Sequence, residues 1–218
     1  MLIPFVTASA AYVDLDAPCG ITVLLPTQYV EDQESFVVDI YKIADFDAFE
    51  DGTNVAYRVS EGPFYGLKGD LDSANGKEAW SAIAKKALGI VESSITTGNE
   101  IEHMPGILGE NVDLDAGVYL VVARGMDQEA KFVYDDDDNP YATVAKTPLH
   151  EYVFSPVIVT LPLYDGNGED GDEINGNGGS WSYYAEVKLK PERNDLTKKK
   201  IILQIPNAIF IEVISELL

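Results

Sequence analysis

Most of the side chains able to do chemistry in this chain are carboxylates, and many of them stand in two runs. Asp135, Asp136, Asp137 and Asp138 precede Asn139, and Asp165, Asn167, Glu169, Asp170, Asp172 and Glu173 share one Gly-rich stretch. Hard oxygen ligands at that density suit Ca²⁺, and the spacing of Asp165, Asn167 and Glu169 is that of the first ligands of an EF-hand loop. Such a loop also needs a Gly at its sixth position and a Glu at its twelfth. Counted from Asp165, those positions hold Asp170 and Gly176. These departures favour a solvated charge run over a calcium site made by Asp165, Asn167, Glu169 and Asp172. His103 and His150 are too few and too isolated to build a metal centre or to activate a nucleophile, and His150, beside Glu151, reads as a strand-edge residue. Cys19 is the sole cysteine, so it forms no internal disulfide and reads as a small half-buried apolar residue. No Gly-rich phosphate loop follows a strand and no Gly-x-Ser-x-Gly elbow occurs. No active site is expected, and no cofactor beyond the calcium alternative.

The balance of charge narrows the partners. Across 218 residues, 15 Lys and Arg face 37 Asp and Glu, a formal charge of −22. Such a surface repels nucleic-acid phosphates and anionic lipid, which removes both as partners. It serves solubility, or a cation-rich setting or cationic partner. No stretch reaches the roughly 18 apolar residues that span a bilayer, so no membrane insertion is expected.

Residues 1–10 combine a short apolar run with Ala8-Ser9-Ala10. They read as the remnant of a secretory signal peptide, with a mature chain from about Ala11 and a secreted destination; a hydrophobic first strand is the alternative.

The remaining pattern is that of strands and one helix separated by turns. Ile21–Leu25, Phe36–Ile43 and Val55–Val59 are rich in β-branched and aromatic residues and predict strands. Over Phe36–Ile43, Val38, Ile40 and Lys42 share one face, with Val37, Tyr41 and Ile43 near the other. From Asp72 to Glu92 the period changes: Trp80, Ile83, Ala84, Ala87, Leu88 and Val91 form one face of an amphipathic helix, with Trp80 as a core anchor and Asp72 or Ser73 as N-cap. Gly98, Pro105, Gly106 and Gly109 mark a loop. Strands resume over Val118–Ala123, Lys131–Tyr134, Tyr141–Ala145, Tyr152–Leu161 and Trp181–Leu189, and residues 165–179 form a flexible hairpin tip. The predicted class is mainly β, an immunoglobulin-like β-sandwich with one inserted helix.

Three segments carry a family resemblance: Ala116-Gly117-Val118-Tyr119-Leu120-Val121-Val122, Tyr152-Val153-Phe154-Ser155-Pro156-Val157-Ile158-Val159-Thr160-Leu161-Pro162, and Trp181-Ser182-Tyr183-Tyr184-Ala185-Glu186-Val187-Lys188-Leu189-Lys190-Pro191. Together they resemble the N-terminal domain of Gram-positive, sortase-assembled pilins and adhesins with Cna-B-like, prealbumin-like β-sandwiches. The resemblance covers roughly residues 19–192. It implies a structural subunit at the cell surface or wall, joined to other pilus subunits by a sortase and touching host protein or glycan.

The resemblance also assigns lysines. The family's pilin motif places a nucleophilic Lys after a Trp-led strand. The similar segment here makes Lys190 the first candidate for sortase linkage and Lys188 the second, against an edge-strand Lys that only discourages aggregation. Lys42 occupies the place of the family's isopeptide lysine, but no matching Asn stands on the last strand and Ala123-Arg124-Gly125 replaces the usual acid, so no isopeptide bond is expected. The domain limits follow as 1–10 for the signal remnant, 11–192 for the sandwich and 193–218 for an atypical tail. That tail is basic and then Ile-rich. It reads as truncated or frameshifted, with an extra strand as the alternative. A second class of function is a secreted ligand-binding module using exposed aromatics such as Tyr12, Tyr29 and Tyr65.

Overall fold

The computed structural model describes residues 13–48, 55–126, 128–165, 180–196, 199–203 and 211–215. The chain begins with β1 (Cys19–Leu24), a 3₁₀ segment (Thr27–Ser35), β2 (Phe36–Ala48) and β3 (Val55–Arg58). Two helices follow, α1 (Lys68–Asp72) and α2 (Gly76–Thr96). Then come β4 (Met104–Ile107), β5 (Asn111–Leu114), β6 (Gly117–Gly125), β7 (Lys131–Tyr134) and β8 (Pro140–Lys146). The last part holds β9 (His150–Phe154), β10 (Val157–Leu161), β11 (Leu163–Asp165), β12 (Ser180–Ser182), β13 (Tyr184–Lys188) and β14 (Glu192–Asp195). A separate antiparallel pair joins β15 (Lys199–Leu203) to β16 (Ile211–Ser215).

The protein is mainly β and built from several sheets. A five-stranded sheet runs β10-β6-β2-β3 with β4 also on β2, and a four-stranded sheet runs β14-β9-β8-β7. A three-stranded sheet places β1 between β13 and β5. β6 lies between β10 and β2 and is buried on both faces, which is why Val118-Tyr119-Leu120-Val121-Val122 reads as a continuous apolar run and not as an alternation. The five- and four-stranded sheets meet through Phe36 on β2 and Tyr152 and Phe154 on β9, with ring centroids 5.0 and 5.2 Å from Phe36. Tyr152 and Phe154 are two residues apart, so the pleat sends both rings to the same side. The Thr143 hydroxyl on β8 adds a buried bond to the Ala123 carbonyl on β6 at 2.6 Å.

Helix α2 covers β8 and β10 with Ile83, Ala84, Ala87, Leu88 and Val91, the face its 3.6-residue period predicts. Its ends differ from the sequence expectation. The helical run breaks between α1 and α2, and Asn75, not Asp72 or Ser73, is the N-cap. Gly76 follows with φ +78, a conformation that Gly reaches without a Cβ penalty. At the other end Gly98, with φ +71, donates to the Ile95 carbonyl while Asn99 donates to Ser94, so the helix closes in a glycine-capped turn four residues beyond Glu92. Trp80 is half-buried at the rim of the core, edge-on to Tyr57 at 5.9 Å.

Other expectations are redrawn. Tyr152–Leu161 is not one strand: the chain leaves β9 at Ser155-Pro156 and enters a different sheet as β10. Pro156 lacks the N–H a continuous ladder needs, so the switch falls there. Trp181–Leu189 likewise divides into β12 and β13. The segment read as loop around Pro105 contains β4, which pairs with β2 from Val37 to Ile40. A register shift between Lys42 and Ala44 of β2 changes the phase of the pleat, so Ile43 and Ala44 are both buried and the simple alternation fails. The 192/193 boundary falls inside β14, whose Arg193 pairs with Tyr152 and Asp195 with His150. The hairpin expected around residues 165–179 is framed by the antiparallel pair β11 and β12, with Asp165 opposite Ser180, and residues 166–179 lie outside the described residues. Residues 1–10 lie outside the described residues.

Candidate functional site

Lys188 and Lys190 stand at the point where the chain crosses from one sheet to another. β13 runs parallel to β1, in register from Gly20↔Tyr184 to Leu24↔Lys188. The Leu189 N–H then donates to the Leu24 carbonyl at 2.9 Å, extending the pairing one step. Val187, Leu189 and Pro191 are buried while Lys188, Lys190 and Glu192 are exposed, so the pleat continues past the strand and sends both lysines to one side. Leu189 is 1% exposed, which fixes the backbone on which Lys190 is carried. Neither lysine enters an ion pair among the described residues. Lys188 borders a small apolar groove formed by Phe46, Tyr57, Trp80 and Trp181.

Lys42 has a different setting. Its ammonium lies 2.6 Å from the Asp45 carboxylate on the same strand and 6.0 Å from the centre of the Tyr119 ring, and its side chain is 35% exposed. Its stem crosses Gly117: a Cβ there would stand 2.8 Å from Lys42 Cε and 2.8 Å from the Ala44 carbonyl oxygen. Gly117 of the Gly-x-Tyr strand is thus a close-approach glycine. The strand that bears Lys188 pairs with β1, not with the Lys42 strand.

The most buried charge among the described residues is one that sequence reasoning did not single out. Asp39 on β2 is 3% exposed. Arg124 on β6 grips it with both arms, Nε to Oδ2 at 2.6 Å and Nη2 to Oδ1 at 3.1 Å. The remaining arm of Arg124, Nη1, donates to the carbonyls of Gly125, Met126 and Gln128 at 3.3, 3.3 and 3.2 Å. That bonding to Asp39 raises the already high Arg124 pKa. His103 Nε2 lies 3.5 Å from the same carboxylate, and its ring packs 5.1 Å from that of Tyr41. An acid locked by a guanidinium fork is a structural brace; both its oxygens are occupied and it has no open face for a substrate. The signal was present in the sequence as an Asp between Val38 and Ile40 and an Arg closing an apolar strand.

A second polar cluster surrounds His150. Its Nδ1 is 3.1 Å from Asp32 Oδ2 and its Nε2 is 3.5 Å from Asp195. The Tyr152 hydroxyl donates to the same Asp32 oxygen at 2.5 Å. The Arg193 guanidinium lies over the Tyr29 ring at 5.3 Å. His150 is therefore not a strand-edge residue, because β14 adds a further strand outside β9 and Asp195 faces it. The cluster ties the 3₁₀ segment to β9 and β14.

Three buried tyrosines give a pH prediction. Burial, followed by nearby carboxylates, pushes the Tyr41 and Tyr119 hydroxyls well above their usual range, and burial with the Asp32 bond pushes Tyr152 up to about 12. The unfolded chain ionises near pH 10. The stability these three groups contribute is thus full below about pH 10 and is lost as the pH rises through 12, because only the unfolded state readily releases these protons. A titration of tyrosinate absorbance followed alongside circular dichroism should show part of the 12 tyrosines ionising only as the fold is lost. Complete ionisation near pH 10 with the fold intact would contradict this reading.

The acidic run at residues 135–138 closes a turn. Asp135 Oδ1 accepts the Asp137 and Asn139 N–H groups at 3.0 and 2.9 Å, closing the β7–β8 turn with Asp138 at φ +59. Those bonds, that to Asn139 first, hold its carboxyl below the usual range. Asp165 ends β11, whereas Asn167, Glu169 and Asp172 lie outside the described residues. Among the described residues no group of three or more His, Cys, Asp or Glu is placed to hold a metal. Of the aromatics considered for binding, Tyr12 lies outside the described residues, Tyr29 is half-buried beside Arg193, and Tyr65 is 54% exposed in a 3₁₀ turn ahead of α1.

No helix among the described residues is long and apolar enough to cross a membrane. Compared with known proteins, the chain matches no protein-family model and no curated sequence.

Proposed function

We propose that this chain is a structural subunit of a Gram-positive pilus or a wall-associated adhesin, built on a Cna-B-like β-sandwich, secreted, and joined to its neighbours by a sortase. The observation that carries this reading is Lys190, an exposed lysine free of acidic partners among the described residues, on backbone fixed between buried Leu189 and Pro191. A lysine so placed has the properties a transpeptidation acceptor needs: its amine reaches solvent, its position is set by the fold, and no ion pair must be broken first. In the reaction the neutral ε-amine attacks the acyl-thioester carbonyl of the loaded sortase, an amide bond forms, and the sortase thiol leaves. In this reading the sortase brings the catalytic thiol and the protein supplies only the acceptor amine. The buried rings of Tyr41, Tyr119 and Tyr152 serve the core, which favours a structural part over a glycan reader built on aromatic side chains.

Incubation of the chain with a class C sortase and an Leu-Pro-x-Thr-Gly donor peptide tests the proposal. A single adduct is expected, mapped by peptide mass spectrometry to Lys190, lost in Lys190→Arg and retained in Lys188→Arg. No adduct, or adducts spread evenly over many lysines, would overturn it.

A further inference from the structure

β14 is a strand with little to hold it. All of its residues, Glu192–Asp195, are exposed, so it buries no side chain against the core. It ends its sheet, paired with β9 on one edge and with no strand beyond it among the described residues. Its last pairing is Asp195 with His150, and the Leu196 N–H then donates to the Leu149 carbonyl at 2.9 Å. A strand of this kind opens locally at a small cost in free energy, so the polar contacts at its end set how firmly it is docked.

Those contacts centre on His150, whose side chain is 17% exposed. Nδ1 faces the Asp32 carboxylate at 3.1 Å and Nε2 faces that of Asp195 at 3.5 Å. A neutral imidazole has one N–H and one lone pair, whereas a carboxylate only accepts. With Nδ1–H donated to Asp32, the lone pair of Nε2 points at Asp195. The imidazolium alone offers a donor to both. The surrounding groups come from four elements. The Tyr152 hydroxyl on β9 donates to Asp32. Arg193 on β14 lies 3.9 Å from Asp195 and over the Tyr29 ring of the 3₁₀ segment. Lys146 on β8 and Glu151 on β9 pair with each other at 3.2 Å. Of these side-chain types only histidine changes charge between about pH 5 and 8.

We propose that His150 is a pH-sensitive latch: its protonation secures β14 to β9 and the 3₁₀ segment through Asp195 and Asp32, and its deprotonation loosens the strand. The sign follows from linkage. A cation that meets Asp195 only when β14 is docked favours the docked form at acid pH, and that contribution is lost as the pH rises through the histidine range. Release uncovers the outer edge of β9 and slackens the chain beyond Pro191. The inference does not depend on the lysine linkage proposed above.

Main-chain amide exchange of the full chain, followed by NMR at about pH 5.5 and about pH 7.5, below and above the midpoint of an ordinary histidine, tests the latch. It is read as protection factors, so that the intrinsic pH dependence of exchange divides out. A largely exposed ion pair of modest strength implies that the Leu196 amide is protected about threefold more at the lower pH. The Leu189 amide, bonded to Leu24 in another sheet, reports on the rest of the fold and should not change. Asp195→Asn, at a side chain 80% exposed and so without demand on folding, is expected to abolish the difference, as is His150→Gln. His103→Gln should retain it. Equal protection of Leu196 at the two pH values, or weaker protection at the lower one, would overturn the proposal. So would a difference that survives Asp195→Asn or His150→Gln, is lost in His103→Gln, or arises equally at Leu189, since each places the pH dependence elsewhere in the molecule.

Discussion

Replacing Asp39 by Ala is expected to destabilise the protein by about 3–5 kcal/mol, the range for breaking a buried ion pair on one side only. The loss comes less from the missing attraction than from what is left behind. Arg124 would retain its charge with its Nε and Nη2 donors unmatched, next to the apolar face of β2 and β6. It would also lose the anchor that aims Nη1 at the three carbonyls of the turn after β6, so the turn should loosen as well. Urea unfolding of Asp39→Ala beside the parent measures the effect. The double replacement Asp39→Leu with Arg124→Met should recover much of it, because removing both charges leaves neither stranded. A loss below about 1 kcal/mol for the single variant would mean that Arg124 behaves as an exposed residue and that the brace contributes little.

The second large effect is expected at Phe36. Its ring is fully buried, edge-on to Tyr152 at 5.0 Å and to Phe154 at 5.2 Å, and it is the contact through which β2 meets β9. Phe36→Ala removes that contact and leaves a cavity between two sheets that are both held by backbone ladders and cannot easily close on it, at a cost of about 3–5 kcal/mol. Phe36→Leu keeps most of the volume and should cost clearly less. Equal losses for the two variants would show that ring geometry matters more than volume. A near-neutral Phe36→Ala would show that the sheets collapse freely. The Tyr152 hydroxyl bond to Asp32 sits at the far side of the same cluster, so the Ala variant should also let part of the alkaline ionisation occur at lower pH.

The residues that declared themselves in the sequence are those whose signal is local. Helix α2 was legible because its buried face repeats within one element, and the strands around Val118 and Phe132 because β-branched and aromatic runs are bounded by turn residues. What escaped depends on partners distant in the chain. Met104–Ile107 contains Pro and Gly and looks like loop; it is a strand only because β2 offers it an edge. The split at Ser155-Pro156 depends on two sheets competing for adjacent halves of one apolar run. The bulge in β2 was invisible because it is a property of the register between β2 and β6, which β2's own residues do not specify. Among the site residues, Lys188 and Lys190 were picked out by family pattern alone. Asp39 and Arg124, 85 positions apart, could be paired only once β2 and β6 lay side by side.

The parallel pairing of β1 with β13 has a mechanical meaning. A load applied between the residues before Cys19 and the side chain of Lys190 pulls on opposite ends of the two strands. The five paired positions from Gly20↔Tyr184 to Leu24↔Lys188, together with the flanking bonds of Gly20 to Tyr183 and Leu189 to Leu24, would then be strained side by side in shear and not peeled one at a time. Rupture in that direction requires the whole ladder to yield at once, so the threshold force should be high and the extension before failure small. Pulled from β14 instead, the chain would meet the antiparallel β9–β14 pair at its end and open like a zip. The same molecule is thus stiff along one axis of tension and compliant along another, and the point at which the load is applied decides which of the two it presents.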